Sequence, residues 1–204
     1  MLTIRILYFI FLLTTFLSFS QERQAKLIFA DSTEVIGFGE IRNNKILFRI
    51  SLDSTQTKWS HEDLVDGFEY YGNGFSEKFK YILPNKRSEK PMLMEIVEEG
   101  SVNLYKGLRA IFPYITGEEK IVNGSTVFVP DGIAKKVIYY VKRNDEAYAT
   151  DISFSFKSKS LRYFKDCNLV TKKIKSKEFT LNNVEDLVFF YNEYCTDEEE
   201  IIED

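Results

Sequence analysis

The chain is poor in the residue types on which most enzyme chemistry turns: it has one histidine, two cysteines and one tryptophan. A general base near neutral pH is most often histidine, so any Ser-His-Asp triad would have to use His61. That residue sits in Trp59-Ser60-His61-Glu62-Asp63, and the chain contains no G-x-S-x-G nucleophile elbow. Ser60, with Asp63 three residues on, reads instead as a helix or turn cap. Adjacent His61-Glu62-Asp63 cannot converge on one ion as H-E-x-x-H does, and two cysteines with one distant histidine make no ligand cluster. Gly72-Asn73-Gly74 lacks the third glycine and the lysine of a phosphate loop, so it reads as a tight turn. Among 31 acids, a pair such as Glu95 and Glu98 meets glycosidase spacing by chance. We therefore expect no catalytic, cofactor-binding or metal-binding residue, and a protein that is not an enzyme.

A basic excess is missing too. Lys and Arg number 27 against 31 Asp and Glu, a net charge of −4. Nucleic acid is an unfavourable partner for such a chain, because neutralising phosphates takes a basic surface.

Long apolar runs are absent after the first twenty residues. Residues 6–19 form one such run behind Arg5, and it ends in Ser18-Phe19-Ser20 before Gln21. One cation, a short apolar stretch and small residues before the break read as a secretory signal peptide. The run is shorter than the ~20 residues that span a bilayer. Cleavage after Ser20 removes Arg5 and no acid, which takes the net charge from −4 to −5. Gln21 is not a cysteine, so no lipid anchor is expected there. The product should be soluble, periplasmic or secreted, with no transmembrane segment after cleavage. The expected organisation is a signal peptide over 1–20, one α+β domain over 21–195 and an acidic disordered tail over 196–204.

What is there in quantity is alternation. Residues 25–156 read as antiparallel β structure of about eight short strands, a sandwich or barrel-like sheet system. In 45–51, Ile46, Phe48 and Ile50 share one face, and Asn43-Asn44 supply the positive φ that a hairpin demands. Gly37 and Gly39 predict a bulge or bend. Phe79, Tyr81 and Leu83 line one face before Pro84. Residues 92–98 and 101–106 flank Glu99-Gly100 as a hairpin. Residues 127–129 make a short strand stopped by Pro130-Asp131-Gly132. Residues 136–142 are apolar on both faces, which predicts a central strand. Tyr148, Ile152, Phe154 and Phe156 share a further face.

From residue 157 the period changes. Leu161 and Phe164 have helical spacing, and Leu169, Val170 and Ile174 begin a second helix. Val184, Leu187, Val188, Tyr191 and Tyr194 form the stripe of a third, which Asn183 can cap. Residues 157–195 thus read as a C-terminal helical hairpin, bracketed by Cys167 and Cys195. In an oxidising compartment an even pair is readily joined, and a disulfide between them would staple the hairpin. The alternative is two buried thiols. Bases concentrate in 157–177 and acids in 178–204; one reading is a basic surface for an anionic partner, and the preferred one is that the helices and the tail neutralise one another and stay solvated.

Three segments resemble a broad group of uncharacterised exported, β-rich proteins of Bacteroidetes-type bacteria. They are Gly100-Ser101-Val102-Asn103-Leu104-Tyr105-Lys106, Asp166-Cys167-Asn168 and Tyr191-Asn192. Asn168 stands where the group tends to have proline. The resemblance implies a similar fold and an envelope location, and it carries no activity over. The leading expectation is a non-enzymatic envelope domain that binds another protein or a surface polymer. The runner-up is a carrier of a small apolar ligand in a cavity of the sheet, lined by Phe48, Val137, Tyr139 and Phe154.

Overall fold

A computed structural model describes residues 23–72, 74–122 and 125–195, in backbone alone at 110–116, 120, 122, 125 and 127–134. The expected signal peptide and acidic tail lie outside these residues. The strands are β1 (Arg23–Phe29), β2 (Glu34–Arg42), β3 (Lys45–Arg49), β4 (Thr57–Trp59), β5 (Val65–Gly72), β6 (Phe75–Ile82), β7 (Met92–Glu98), β8 (Val102–Val122), β9 (Ser125–Arg143) and β10 (Thr150–Asp151). Among the described residues they form one open ten-stranded sheet in the order β10-β9-β8-β7-β6-β5-β1-β2-β3-β4, antiparallel throughout. Helices α1 (Phe156–Tyr163), α2 (Asn168–Lys175) and α3 (Val184–Tyr194) follow.

The ladder register puts Val35, Leu27, Phe68, Phe79, Glu95, Lys106 and Tyr139 in one row across the sheet, on what we call its front face. A sheet with an apolar face must cover it, and the two ends do so differently. At the β8–β9 end the helices lie on it. Val102, Leu104 and Val141 are buried beneath Phe164, Val170, Ile174, Leu187, Val188 and Tyr191. At the other end the sheet curls over itself, enclosing Leu27, Ile46, Phe48 and Phe68. The β2–β3 turn then reaches the start of β7. The Asn44 Oδ1 accepts from the Leu93 N–H at 2.6 Å, and the Tyr81 hydroxyl donates to the Asn44 carbonyl at 3.0 Å. These contacts are bridges between side chain and backbone, with no β3–β7 ladder, so the curled end is not a closed barrel. Tightness there explains two glycines. A Cβ at Gly37 would sit 2.3 Å from the Arg49 carbonyl oxygen, and one at Gly39 would sit 3.0 Å from the Phe68 ring. Both glycines lie in regular ladders, so the expected bulge is a close approach of backbone and rings instead.

The antiparallel α+β class and the C-terminal helices are as expected, and so is the Asn43-Asn44 turn, at φ 50° and 64°. The strand count and layout are corrected: ten strands in one open sheet, where about eight in a sandwich or barrel were expected. Pro130-Asp131-Gly132 does not stop a strand, since β9 runs through it. The expected central strand over 136–142 belongs to β9, next to the two-residue edge strand β10. It is apolar on both faces because Tyr139 and Val141 meet the helices while Ile138 and Tyr140 join a back-face cluster with Met94 and Tyr105. The expected face over 148–156 dissolves: only Thr150–Asp151 pair, Tyr148 and Phe154 are exposed, and Phe156 begins α1. Ile50 lies past the end of β3 and is exposed. The Asn183 carboxamide turns back to accept from the Thr180 N–H and hydroxyl instead of capping α3.

Candidate functional site

The most unusual element is the β8–β9 hairpin. β7 pairs with β8 over Leu104–Lys106, and β10 pairs with β9 at Tyr140 and Val141. Beyond those points the two strands pair only with each other, out to Val122 and Ser125, with register shifts after Ala110 and Thr116. At about 3.4 Å per residue, the free part of β8 (107–122) reaches roughly 50 Å. It is a two-stranded ribbon whose outer edges meet no further strand among the described residues. Leu108, Ile121 and Val137 on it are 61%, 79% and 41% exposed. An isolated two-stranded hairpin is marginal in water, and open edges offer rows of N–H and C=O groups to another chain.

At the root of the ribbon, on the front face, a groove of about 730 Å³ opens between the β2–β3 turn of the curled end and the start of the ribbon. Its floor includes Phe79, Leu93, Leu108 and Val137, and Asn43 and Asn44 stand at one side. Glu95 and Lys106 pair across it at 2.8 Å. Burial pulls the Lys106 ammonium down, but the hydrogen bond and charge of Glu95 outweigh that and leave it raised above the ordinary lysine value.

The residues singled out for a ligand cavity lie in different surroundings. Phe48 is buried in the curled end, and Tyr139 is half-buried against the helices. Val137 lines the groove, while Phe154 lies exposed under the Arg109 and Lys136 side chains. At His61, the Ser60 N–H and hydroxyl both donate to the Asp63 carboxylate, at 2.8 and 2.9 Å. Ser60 and Asp63 thus close the short 3-10 turn His61–Asp63, and the His61 ring rests against Tyr81. The Ser60 hydroxyl is thus engaged with the Asp63 carboxylate.

Cys167 and Cys195 are bonded, with sulfurs 2.09 Å apart. The bond joins the start of α2 to the end of α3. Closing such a loop stabilises by roughly 3–4 kcal/mol through chain entropy. Around it, the Tyr191 hydroxyl donates to Asp166 at 2.6 Å, and Arg143 donates to both Asp166 and the Tyr191 oxygen. Tyr163 donates to Glu146 at 2.7 Å; burial, then that bond, pushes its phenol well above the usual range. On the next residue of α3, the Asn192 Oδ1 accepts from the Ser101 hydroxyl and the Val102 N–H, and its amide donates to the Val102 carbonyl. A Cβ at Gly100 would collide with that carboxamide at 2.3 Å. The three segments that carry the resemblance therefore meet in one interlock of helix, hairpin and disulfide. Ser101, Val102, Asp166, Cys167, Tyr191 and Asn192 fasten α3 there, while Tyr105 joins the back-face cluster and Lys106 pairs with Glu95.

Sequence reasoning missed the ribbon and the groove. The signal for the first was present: apolar residues persist through 108–122 and 127–137 with Asn123-Gly124 between them, a strong hairpin signal. Compared with protein-family models, curated proteins and solved structures, the chain matches none.

Proposed function

We propose that this is an exported, non-enzymatic binding protein of the cell envelope that takes an extended segment of another protein along its β8–β9 ribbon. The observation that carries the reading is the ribbon itself: two long strands that leave the sheet, unpaired on their outer edges among the described residues, with exposed Leu108, Ile121 and Val137. A partner strand would satisfy the edge N–H and C=O groups and cover apolar side chains, which is how strand-adding recognition gains affinity and specificity together. A sugar polymer offers no matching ladder, so the partner is a polypeptide. The front groove at the ribbon root gives a bound segment a place to seat an apolar side chain beside Leu108 and Val137.

Export agrees with the apolar leader read from the sequence and with the disulfide, which persists in oxidising compartments. No helix among the described residues is long and apolar enough to cross a membrane. The test is a chain in which residues 109–135 are replaced by an Asn-Gly turn. The full chain should migrate in a larger complex when added to an extract of its own envelope, and the shortened chain should migrate as the free protein. An unchanged complex from the shortened chain would overturn the reading.

A further inference from the structure

On the back face, next to the groove and sharing Pro84 and Met92 with it, a pocket of about 560 Å³ opens between the β6–β7 loop and the segment around β10. That volume falls within the range of small-molecule sites. Four cations line it: Lys86 and Arg87 from the loop, Arg109 from β8 and Lys159 from α1. Among the described residues, the one carboxylate that lines it is Asp151. The count is four positive charges against one negative, a surplus of three.

Asp151 does little to spend that surplus. Its Oδ1 accepts from the Ser153 and Phe154 N–H groups at 2.9 and 3.4 Å, while Arg109 and Lys159 approach the carboxylate only to 3.7 and 3.8 Å. The Lys159 ammonium gives its short bond to the Asp151 carbonyl instead, at 2.7 Å. Lys86 and Arg87 have no ion pair among the described residues. Beside the charges, Met92, Tyr140 and Tyr148 supply an apolar, aromatic wall, and Ser88 and Thr150 add neutral donors.

The walls are held in place before any ligand arrives. The Arg87 N–H donates to the Asn85 Oδ1 at 2.9 Å, and the Ser88 N–H donates to the Asn85 carbonyl at 3.1 Å, which fixes the loop as a turn. The Ala149 N–H donates to the Leu83 carbonyl at 2.8 Å, tying the two sides together. Preformed walls lower the ordering cost of binding.

We propose that this pocket binds a small soluble phosphate monoester with an aromatic or apolar body. A phosphate monoester carries between one and two negative charges near neutral pH, which suits a surplus of three better than a single carboxylate does. Arginine forks match phosphate oxygens in pairs, and the tyrosines face the body of the ligand. Arg109, at the root of the ribbon, is the one lining residue the pocket shares with it, and the proposal does not rest on the reading given to the ribbon.

The experiment is a calorimetric titration of the full chain with phenyl phosphate, with phenol and benzoate as comparisons. We expect one saturable site for phenyl phosphate, weaker binding of benzoate and none of phenol. Affinity should rise between about pH 5 and 7, as the second phosphate proton leaves. The double substitution Lys86→Ala with Arg87→Ala lies on an exposed loop and should leave the melting curve unchanged. It should weaken phenyl phosphate at least tenfold, and Arg109→Ala should act in the same direction. Absence of saturation, equal binding of phenol, or an affinity untouched by the loop substitution would each overturn the proposal.

Discussion

Gly37 shows how one missing methyl group shapes the curled end of the sheet. A Cβ there would meet the Arg49 carbonyl oxygen at 2.3 Å and the Phe48 ring at 2.7 Å, so Gly37→Ala must push strands apart or tilt a buried ring. Overpacking of this kind costs about 1–3 kcal/mol, and a urea titration of the variant should show the loss. An unchanged midpoint would mean that the curl is looser than it looks. Tyr81 and Tyr105 give a second prediction at this scale. Burial first, then nearby carboxylates (Asp63 for Tyr81, Glu99 and Asp66 for Tyr105), pushes both phenols up to about 12. Each folded value lies above the unfolded one, near 10. The protonated phenols therefore contribute stability that is intact below pH 10 and lost as pH rises toward 12. A spectrophotometric titration should show these tyrosines ionising late and together with unfolding; ionisation of every tyrosine near pH 10 with the fold intact would contradict this. Single residues were legible in the sequence where the cause is local, as with the positive φ at Asn43 and Asn44. Gly37 and Gly39 were visible as special, but their reason, rings arriving from strands far along the chain, was not.

Among the elements, the helical layer depends most on covalent and polar fastening. α3 has an apolar stripe, but its last turn is held by Asn192 on the β7–β8 turn, by Tyr191 on Asp166 and by the Cys167–Cys195 bond. Replacing both cysteines by serine should lower stability by roughly 3–4 kcal/mol, read as a lower denaturant midpoint that reductant no longer shifts. Equal midpoints for the two proteins would show that the bond adds nothing to the interlock. β7 and the helices were legible because their spacing is regular and their ends carry turn residues. The long β8–β9 hairpin was obscured despite its Asn123-Gly124 signal, because Pro113 and Pro130-Asp131-Gly132 are strand breakers in most settings. They are accommodated here in a ribbon with irregular register and outer edges that pair with no further strand among the described residues, where a missing N–H costs little. The covered face of 136–142 was read correctly as apolar on both sides. Its position near the sheet edge depends on the crossing of ten strands, which no local pattern encodes.

At the scale of the whole molecule, the two ends of the sheet solve the same problem in different ways, one by curling and one by taking a helical layer. The ribbon is left over from both solutions. The buried clusters of the curl and of the helical layer include none of its exposed Leu108, Ile121 and Val137, and in the reading we propose a polypeptide completes its edges. The candidate site was illegible in the sequence for that reason: it is defined by what the rest of the fold fails to cover, and that is known only once the fold is known. The most direct measurement places a photo-crosslinking amino acid at Leu108, at Ile121 and, away from the ribbon, at Leu52, with each variant irradiated in the protein's own host. The account predicts the same discrete heavier adduct from positions 108 and 121 and none from position 52. No adduct from the ribbon positions, or the same adducts from all three, would contradict it.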